Sequence, residues 1–155
     1  MLEIKIPSLG QFSFKHIIFD FNGTLATDGV LTEKIRKRLE TLSYKMEVHV
    51  ISLDTYGSAS KQLSELPVQV ALLNSERGAE EKSNYIGALG PDTCIAVGNG
   101  SNDCKMLKEA MLSIAVVGRE GLSQKALRDA DLIFTSIDDV FDSLENPARL
   151  AEIGR

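Results

Sequence analysis

Apolar residues recur along this chain in two rhythms. Short runs rich in β-branched residues, each closing on a polar or glycine-containing turn, alternate with stretches in which apolar positions return every three or four residues. The runs predict strands over Lys15–Phe19, Glu47–Ile51, Val68–Leu72, Thr93–Val97 and Ser113–Val117, with a last short one over Asp131–Phe134. Leu2 to Ile6 alternates charge with apolar residues and predicts an edge strand, ended by Pro7 and Gly10. Between the strands, Ile35, Leu39 and Leu42 lie on one face of a helix that Thr32 can cap. Leu63 and Leu66 mark a short helix before Pro67, and Gly78–Leu89 reads as a helix stopped by Gly90-Pro91. Met106, Leu107 and Ala110 sit on the next helix, Leu122, Ala126 and Ala130 on another, and Ile137, Phe141 and Leu144 on a terminal one before Pro147. Asp28-Gly29, set between apolar positions, predicts a β-hairpin flap over Thr24–Leu31, after the Lys15–Phe19 strand.

Strands alternating with helices of this length imply right-handed crossovers and a mostly parallel sheet covered on both faces, a three-layer α/β/α arrangement. At 155 residues and 43% hydrophobic content, the expectation is a single domain over residues 1–155, without repeats or linkers. Cys94 and Cys104 make neither a zinc framework nor a disulfide scaffold, which fits a reduced, cytoplasmic setting. No apolar run is long enough for a membrane span, and the first residues do not read as a signal peptide. A net charge of −5 argues against a nucleic-acid partner, and the basic cluster of Lys34, Arg36, Lys37 and Arg38 reads as a solvated helix face.

In a parallel sheet of this kind, ligands bind at the carboxyl ends of the strands. That rule gathers four scattered segments into one site. Asp20 follows the first parallel strand, Ser52 the second, and the loop Gly98-Asn99-Gly100-Ser101-Asn102-Asp103 the fourth, while Lys82 starts the helix that runs back from that same end. A carboxylate that attacks phosphorus splits one hard displacement into two easier ones. The negative charge that accumulates calls for a hydroxyl, an amine and a magnesium ion. Asp20 is the candidate nucleophile, and Ser52 and Lys82 suit the hydroxyl and amine roles. A Mg2+ ion would need only Asp20, a main-chain carbonyl and side chains of the fourth loop, for which Asn99 and Asp103 are the candidates. His16 and His49 lie on apolar strands and read as packed histidines rather than ligands.

These residues resemble the haloacid dehalogenase superfamily, whose first motif is Asp-x-Asp-x-Thr and whose fourth is Gly-Asp-Gly-x-x-Asp or Gly-Asp-Gly-x-Asn-Asp. Asp20 to Leu25 resembles the first motif, Ser52 the second, Lys82 the third and Gly98 to Asp103 the fourth. Among its members the chain most resembles small soluble proteins described as P-type-ATPase-like. The resemblance implies a Rossmann-like domain, Mg2+ and an aspartyl-phosphate on Asp20. It also implies metal ligation by Asp20, Asn22, Asn99 and Asp103, and phosphate contacts from Ser52, Leu53, Lys82 and Asn102.

Two departures each remove an acid. Asn22 stands where most family phosphatases carry the aspartic acid that protonates the leaving group, and an amide cannot do so. Turnover is therefore expected to be slow, by the roughly 10²–10⁴-fold that general acid–base help supplies. Asn99 stands where the superfamily places a metal-ligating aspartate, which weakens the hold on the ion. A pseudoenzyme and a phosphoryl carrier are the alternatives to a hydrolase acting on a phosphorylated substrate. With 31 residues between Asp20 and Ser52 and 29 between Ser52 and Lys82, there is no room for a cap domain, and an open site closed by its substrate or by a second copy of the chain is expected. Asn22-Gly23 and Asn99-Gly100 are also Asn-Gly pairs, expected to deamidate readily.

Overall fold

The computed structural model describes residues 1–7, 9–54, 57–73 and 75–153, apart from the side chain of Ser75. Six strands form one parallel sheet: β3 (His16–Asp20), β4 (Glu47–Ser52), β5 (Gln69–Leu72), β6 (Cys94–Gly98), β7 (Leu112–Val116) and β8 (Leu132–Phe134), in the order β5-β4-β3-β6-β7-β8. Every adjacent pair is parallel. β3 lies in the middle, and all five of its residues are buried, which is why it reads as an unbroken apolar run ending in a carboxylate.

The period of two along the strands distributes the helices. Ile17 and Phe19 of β3, with Val48 and Val50 of β4, pack on one face with α1 (Glu33–Ser43), α2 (Ser58–Leu63) and α6 (Ile137–Glu145) through Leu39, Leu63 and Phe141. Ile18, Ile51 and Ala96 face the other way, onto α3 (Gly78–Leu89), α4 (Cys104–Glu109) and α5 (Gln124–Asp129) through Ile86, Met106 and Ala126. By the same alternation His16 and Asp20 share the face of Ile18, so they lie beneath α3. Thr32 caps α1 as expected, its hydroxyl accepting from Ile35 N at 3.3 Å.

Four local expectations change. Gly10 does not end the first strand's neighbourhood; it begins β2 (Gly10–Phe14), which pairs antiparallel with β1 (Leu2–Ile6) as a separate hairpin. The Phe12 and Phe14 rings, stacked at 6.4 Å, give that strand its apolar face. Pro147 does not close the chain's last helix but opens a further one, α7 (Pro147–Ile153), since proline fits a helix's first turn; Leu150 buries against the core. The hairpin at Asp28-Gly29 forms as a single tight turn, with φ of 51° and 74°, and only Thr27 and Val30 pair across it. It is moored rather than free: Gln62 Nε2 donates to Gly29 O at 2.8 Å, and Leu31 N donates to Gln62 Oε1 at 2.8 Å. The basic helix face is not simply solvated, because Arg38 pairs with Asp142 at 2.6 Å and lies over the Phe141 ring, tying α1 to α6.

Among the described residues, no helix is long and apolar enough to cross a membrane.

Candidate active site

The carboxyl ends of β3, β4 and β6 bring the expected residues together. Asp20 is the last residue of β3 and Ser52 the last of β4, while the loop after β6 returns as a 3-10 turn, Ser101–Asp103, into α4. Lys82 is fully buried because α3 lies against the sheet at this point. Its Nζ donates to Asp20 Oδ1 and to Asp103 Oδ1, each at 2.6 Å. Asp103 Oδ2 accepts from Asn99 N at 3.0 Å and Gly100 N at 2.8 Å, closing the loop upon itself. A methyl group on Gly98 would meet the Asp103 side chain at 2.6 Å, so glycine is what lets this carboxylate sit beneath the strand end.

Burial, foremost, and the repulsion of Asp103 raise the pKa of Asp20 above the usual carboxylate range, while Lys82 opposes the shift. For Lys82, burial works to lower the pKa, but the two carboxylates outweigh it and the net direction is up. The array therefore holds an ammonium firmly charged beside a carboxylate that has lost most of its water.

Thr24, four residues after Asp20, completes the mouth of the site. Its Oγ1 donates to Asn99 Oδ1 at 3.1 Å and approaches Asp20 Oδ2 at 3.4 Å. Asn99 is held in one orientation, because its Nδ2 donates to Gly121 O at 3.2 Å and so turns the amide oxygen toward Asp20 and Thr24. Gly23, at φ 79°, makes room for that amide: a Cβ there would lie 2.5 Å from Asn99 Nδ2. Asn22 is exposed at the rim, and Gly23 N donates to Ala26 O at 2.8 Å.

Ser52 is buried, and its Oγ accepts from Asp54 N at 3.0 Å. Asp54 in turn accepts from Ser58 N and Ala59 N at 2.7 and 3.2 Å, serving as the anchor of α2's first turn; Thr55 and Tyr56 lie outside the described residues. Leu53 packs its side chain at Gly78, the start of α3. Asn102 sits part-exposed in the 3-10 turn, its side chain beside Gly100. Sequence reasoning passed over Thr24 and Gly121. The motif position of Thr24 could have identified the first, whereas the role of Gly121 depends on a main-chain carbonyl delivered by a distant loop.

The donor set suits a hard cation. Asp20 Oδ2 and Asn99 Oδ1 are oxygens that converge on one hydroxyl, and Asn99 has its nitrogen turned away. Beside them opens a cleft of about 650 Å³, lined by Thr24, Val30, Lys34, Gly118, Arg119 and Ser136 among others.

A second polar cluster lies toward the opposite end of the same strands. His16 Nδ1 is 3.1 Å from His49 Nε2 and 3.3 Å from Glu47 Oε2, and His49 Nδ1 is 2.9 Å from the hydroxyl of Tyr85 on α3. Both histidines are buried, as the apolar strands implied.

No protein-family model matches the chain. Over 61 residues it is 43% identical to the uncharacterized protein MJ0073 of Methanocaldococcus jannaschii, a match covering 39% of this chain and 66%, just under two thirds, of that relative. Over 39 residues it is 44% identical to the uncharacterized protein MJ0072 of the same organism, covering 25% of this chain and 89% of the relative. Among solved structures, it is similar to the cobalt-bound deoxy-D-mannose-octulosonate 8-phosphate phosphatase of Haemophilus influenzae, with a TM-score of 0.71 at 13% identity over 86% of this chain and 88% of the other. The 3-deoxy-D-manno-octulosonate 8-phosphate phosphatase of Moraxella catarrhalis, in complex with magnesium, phosphate and a KDO molecule, matches at 0.69 and 16% identity over 90% and 92%. A subfamily III A hydrolase of the haloacid dehalogenase superfamily from Legionella pneumophila matches at 0.65 and 16% over 91% and 88%. The chain thus has the haloacid dehalogenase fold, with no inserted cap among the described residues, and by sequence it belongs with M. jannaschii MJ0072.

Proposed function

We propose that this protein is a magnesium-dependent phosphohydrolase that works through a phosphorylated Asp20. The observation that carries the reading is the buried Asp20–Lys82–Asp103 array, set beside Thr24 and Asn99 at the carboxyl edge of a parallel sheet. A Mg2+ ion held by Asp20 and Asn99, with the Asn22 main chain, would neutralise charge on the phosphoryl oxygens.

The Asp20 carboxylate attacks phosphorus, the bond to the leaving oxygen breaks, and the leaving alkoxide takes its proton from water. Lys82 holds Asp20 in line through Oδ1 and, with the Ser52 hydroxyl, faces the developing charge. Asp103 does not need to touch the metal in this scheme; both of its oxygens serve to place Lys82 and the Asn99 loop. Water then cleaves the acyl phosphate, releasing inorganic phosphate and restoring the carboxylate. Asn22 supplies no proton to either step, so both are slow. The same residue favours a second reading, a phosphoryl carrier whose adduct persists.

The substrate is a phosphomonoester whose remainder occupies the cleft beside Thr24, where Arg119 provides positive charge and Lys34 is paired with Asp138 at 2.8 Å. Without a cap, the substrate or a second copy of the chain covers that cleft; light scattering at micromolar concentration tests the second copy.

The deciding experiment mixes fresh protein, Mg2+ and a small activated phosphoryl donor, following intact mass and free phosphate together, with Asp20→Asn beside it. An adduct or phosphate release that needs both Mg2+ and Asp20 supports the reading, and the ratio of adduct to phosphate separates hydrolase from carrier. Absence of both, persisting in Asn22→Asp, overturns it in favour of a pseudoenzyme.

A further inference from the structure

We propose that His16, His49 and Glu47 form a second metal site, for a borderline divalent cation such as Zn2+ or Co2+, distinct from the oxygen-lined site at Asp20. His16 opens β3, and Glu47 and His49 are the first and third residues of β4; one donor atom from each lies within 4.8 Å of the other two. His16 is four residues before Asp20, which along a strand is about 13 Å. The two sites therefore share a sheet but no ligand.

The spacings are those of ligands around an ion. Donors about 2.1 Å from a metal and set between right angles and the tetrahedral angle lie about 3.0–3.4 Å from each other. The His16–His49 and His16–Glu47 separations are 3.1 and 3.3 Å. Glu47 closes on His49 by rotating a side chain that is nearly half exposed, and the same exposure leaves the fourth position open to water. Nitrogen donors suit Zn2+ or Co2+ and are poor ligands for Mg2+, which takes oxygen.

The surroundings supply the outer contacts such a site needs. The Tyr85 hydroxyl, 2.9 Å from His49 Nδ1, fixes the far nitrogen of that ring and leaves Nε2 to point inward. Lys15, 3.2 Å from Glu47 Oε1, steadies the carboxylate through the oxygen that does not face the histidines. Without a metal, two buried imidazoles meet nitrogen to nitrogen with one proton between them. With one, each ring carries its proton on its outward nitrogen and both inward lone pairs coordinate.

Cobalt titration of the intact protein, in a large excess of Mg2+ to saturate the oxygen site, tests the proposal. The expected result is one equivalent of Co2+ bound, with the visible absorption of a four- or five-coordinate ion, displaced by Zn2+. At a hundredfold excess of Zn2+ over its Kd, Tm rises by about 5–10 °C. Glu47→Gln, at a half-exposed position where folding is not at stake, weakens binding at least about 10-fold, and His16→Asn abolishes it. Absence of stoichiometric Co2+ binding under excess Mg2+, or undiminished binding in Glu47→Gln, overturns the assignment. Phosphoryl chemistry at Asp20 is unaffected by either variant, so this test and that of the hydrolase reading fail independently.

Discussion

Replacing Lys82 with methionine keeps most of the side chain's volume and removes the ammonium shared by Asp20 and Asp103. Nζ lies 2.6 Å from an oxygen of each, with Lys82 and Asp103 fully buried and Asp20 nearly so. Breaking a buried ion pair costs about 3–5 kcal/mol, because the charge left behind has neither partner nor water. For a chain of this size that is a Tm lower by about 6–20 °C.

The sign of the pH response is fixed by the same geometry. Asp20 already has a raised pKa, from burial first and Asp103 next, and loss of Lys82 removes what opposes that rise. A carboxyl whose folded pKa exceeds its unfolded one makes the folded state bind more protons, so stability falls as pH rises through the folded pKa. Lys82→Met should therefore be rescued by acid. Urea unfolding at pH 9 and pH 7 measures this in the wild type, Lys82→Met and Lys82→Met/Asp20→Asn. The variant should recover at least about 1 kcal/mol more than the wild type between the two pH values, the equivalent of roughly one pKa unit. The double variant should regain more than half of the loss at pH 9. A loss below about 1 kcal/mol at pH 9, the range of a surface pair, or a loss that neither acid nor Asp20→Asn relieves, would refute the reasoning.

Other expectations follow from particular contacts. Asn22→Asp restores a carboxyl at the rim and should raise the rate of phosphate release about 10²–10⁴-fold, read as steady-state turnover with Mg2+. Burial lowers the His49 pKa from 6.5 to about 4, so the unfolded chain takes up a proton there before the folded chain does. In chelator, stability is then full above pH 6.5 and declines by up to about 3 kcal/mol toward pH 4, a slope that His49→Asn should flatten in urea titrations at stepped pH. Phe141 is buried against Phe19 with ring centroids 5.6 Å apart, and Phe141→Ala should cost about 3–5 kcal/mol in the same assay. Cys94 is fully buried and its thiol is pushed up to about 11, so a maleimide should label it only after unfolding.

The parallel strands were legible because a strand buried on both faces has no alternative to a continuous apolar run, as His16 to Phe19 illustrates. Gly78 to Leu89 was legible from its ends, where Gly90-Pro91 stops the helix. The β2 strand and α7 were not, since Gly10 and Pro147 carry the same local signal whether they end an element or begin one. Only the packing of Phe14 and Leu150 decides between those readings. At the site, the order of Asp20, Ser52, Lys82 and Asp103 along the chain was enough to bring them to one end of the sheet. What each would hold was not. The shared grip of Lys82 on two carboxylates is a product of α3's angle against β3, and the orientation of Asn99 comes from a carbonyl 22 residues away.

The amide groups that distinguish this site are also chemically guarded by it. Conversion of asparagine to aspartate in an Asn-Gly pair begins when the glycine nitrogen turns and closes a five-membered ring on the side-chain carbonyl. In both pairs that nitrogen is already committed: Gly23 N to Ala26 O and Gly100 N to Asp103 Oδ2, each at 2.8 Å. The sequence alone marks Asn22 and Asn99 as short-lived, whereas the folded chain removes the nucleophile that would age them. Time, for this protein, should restore the missing acids only in molecules that have first come undone.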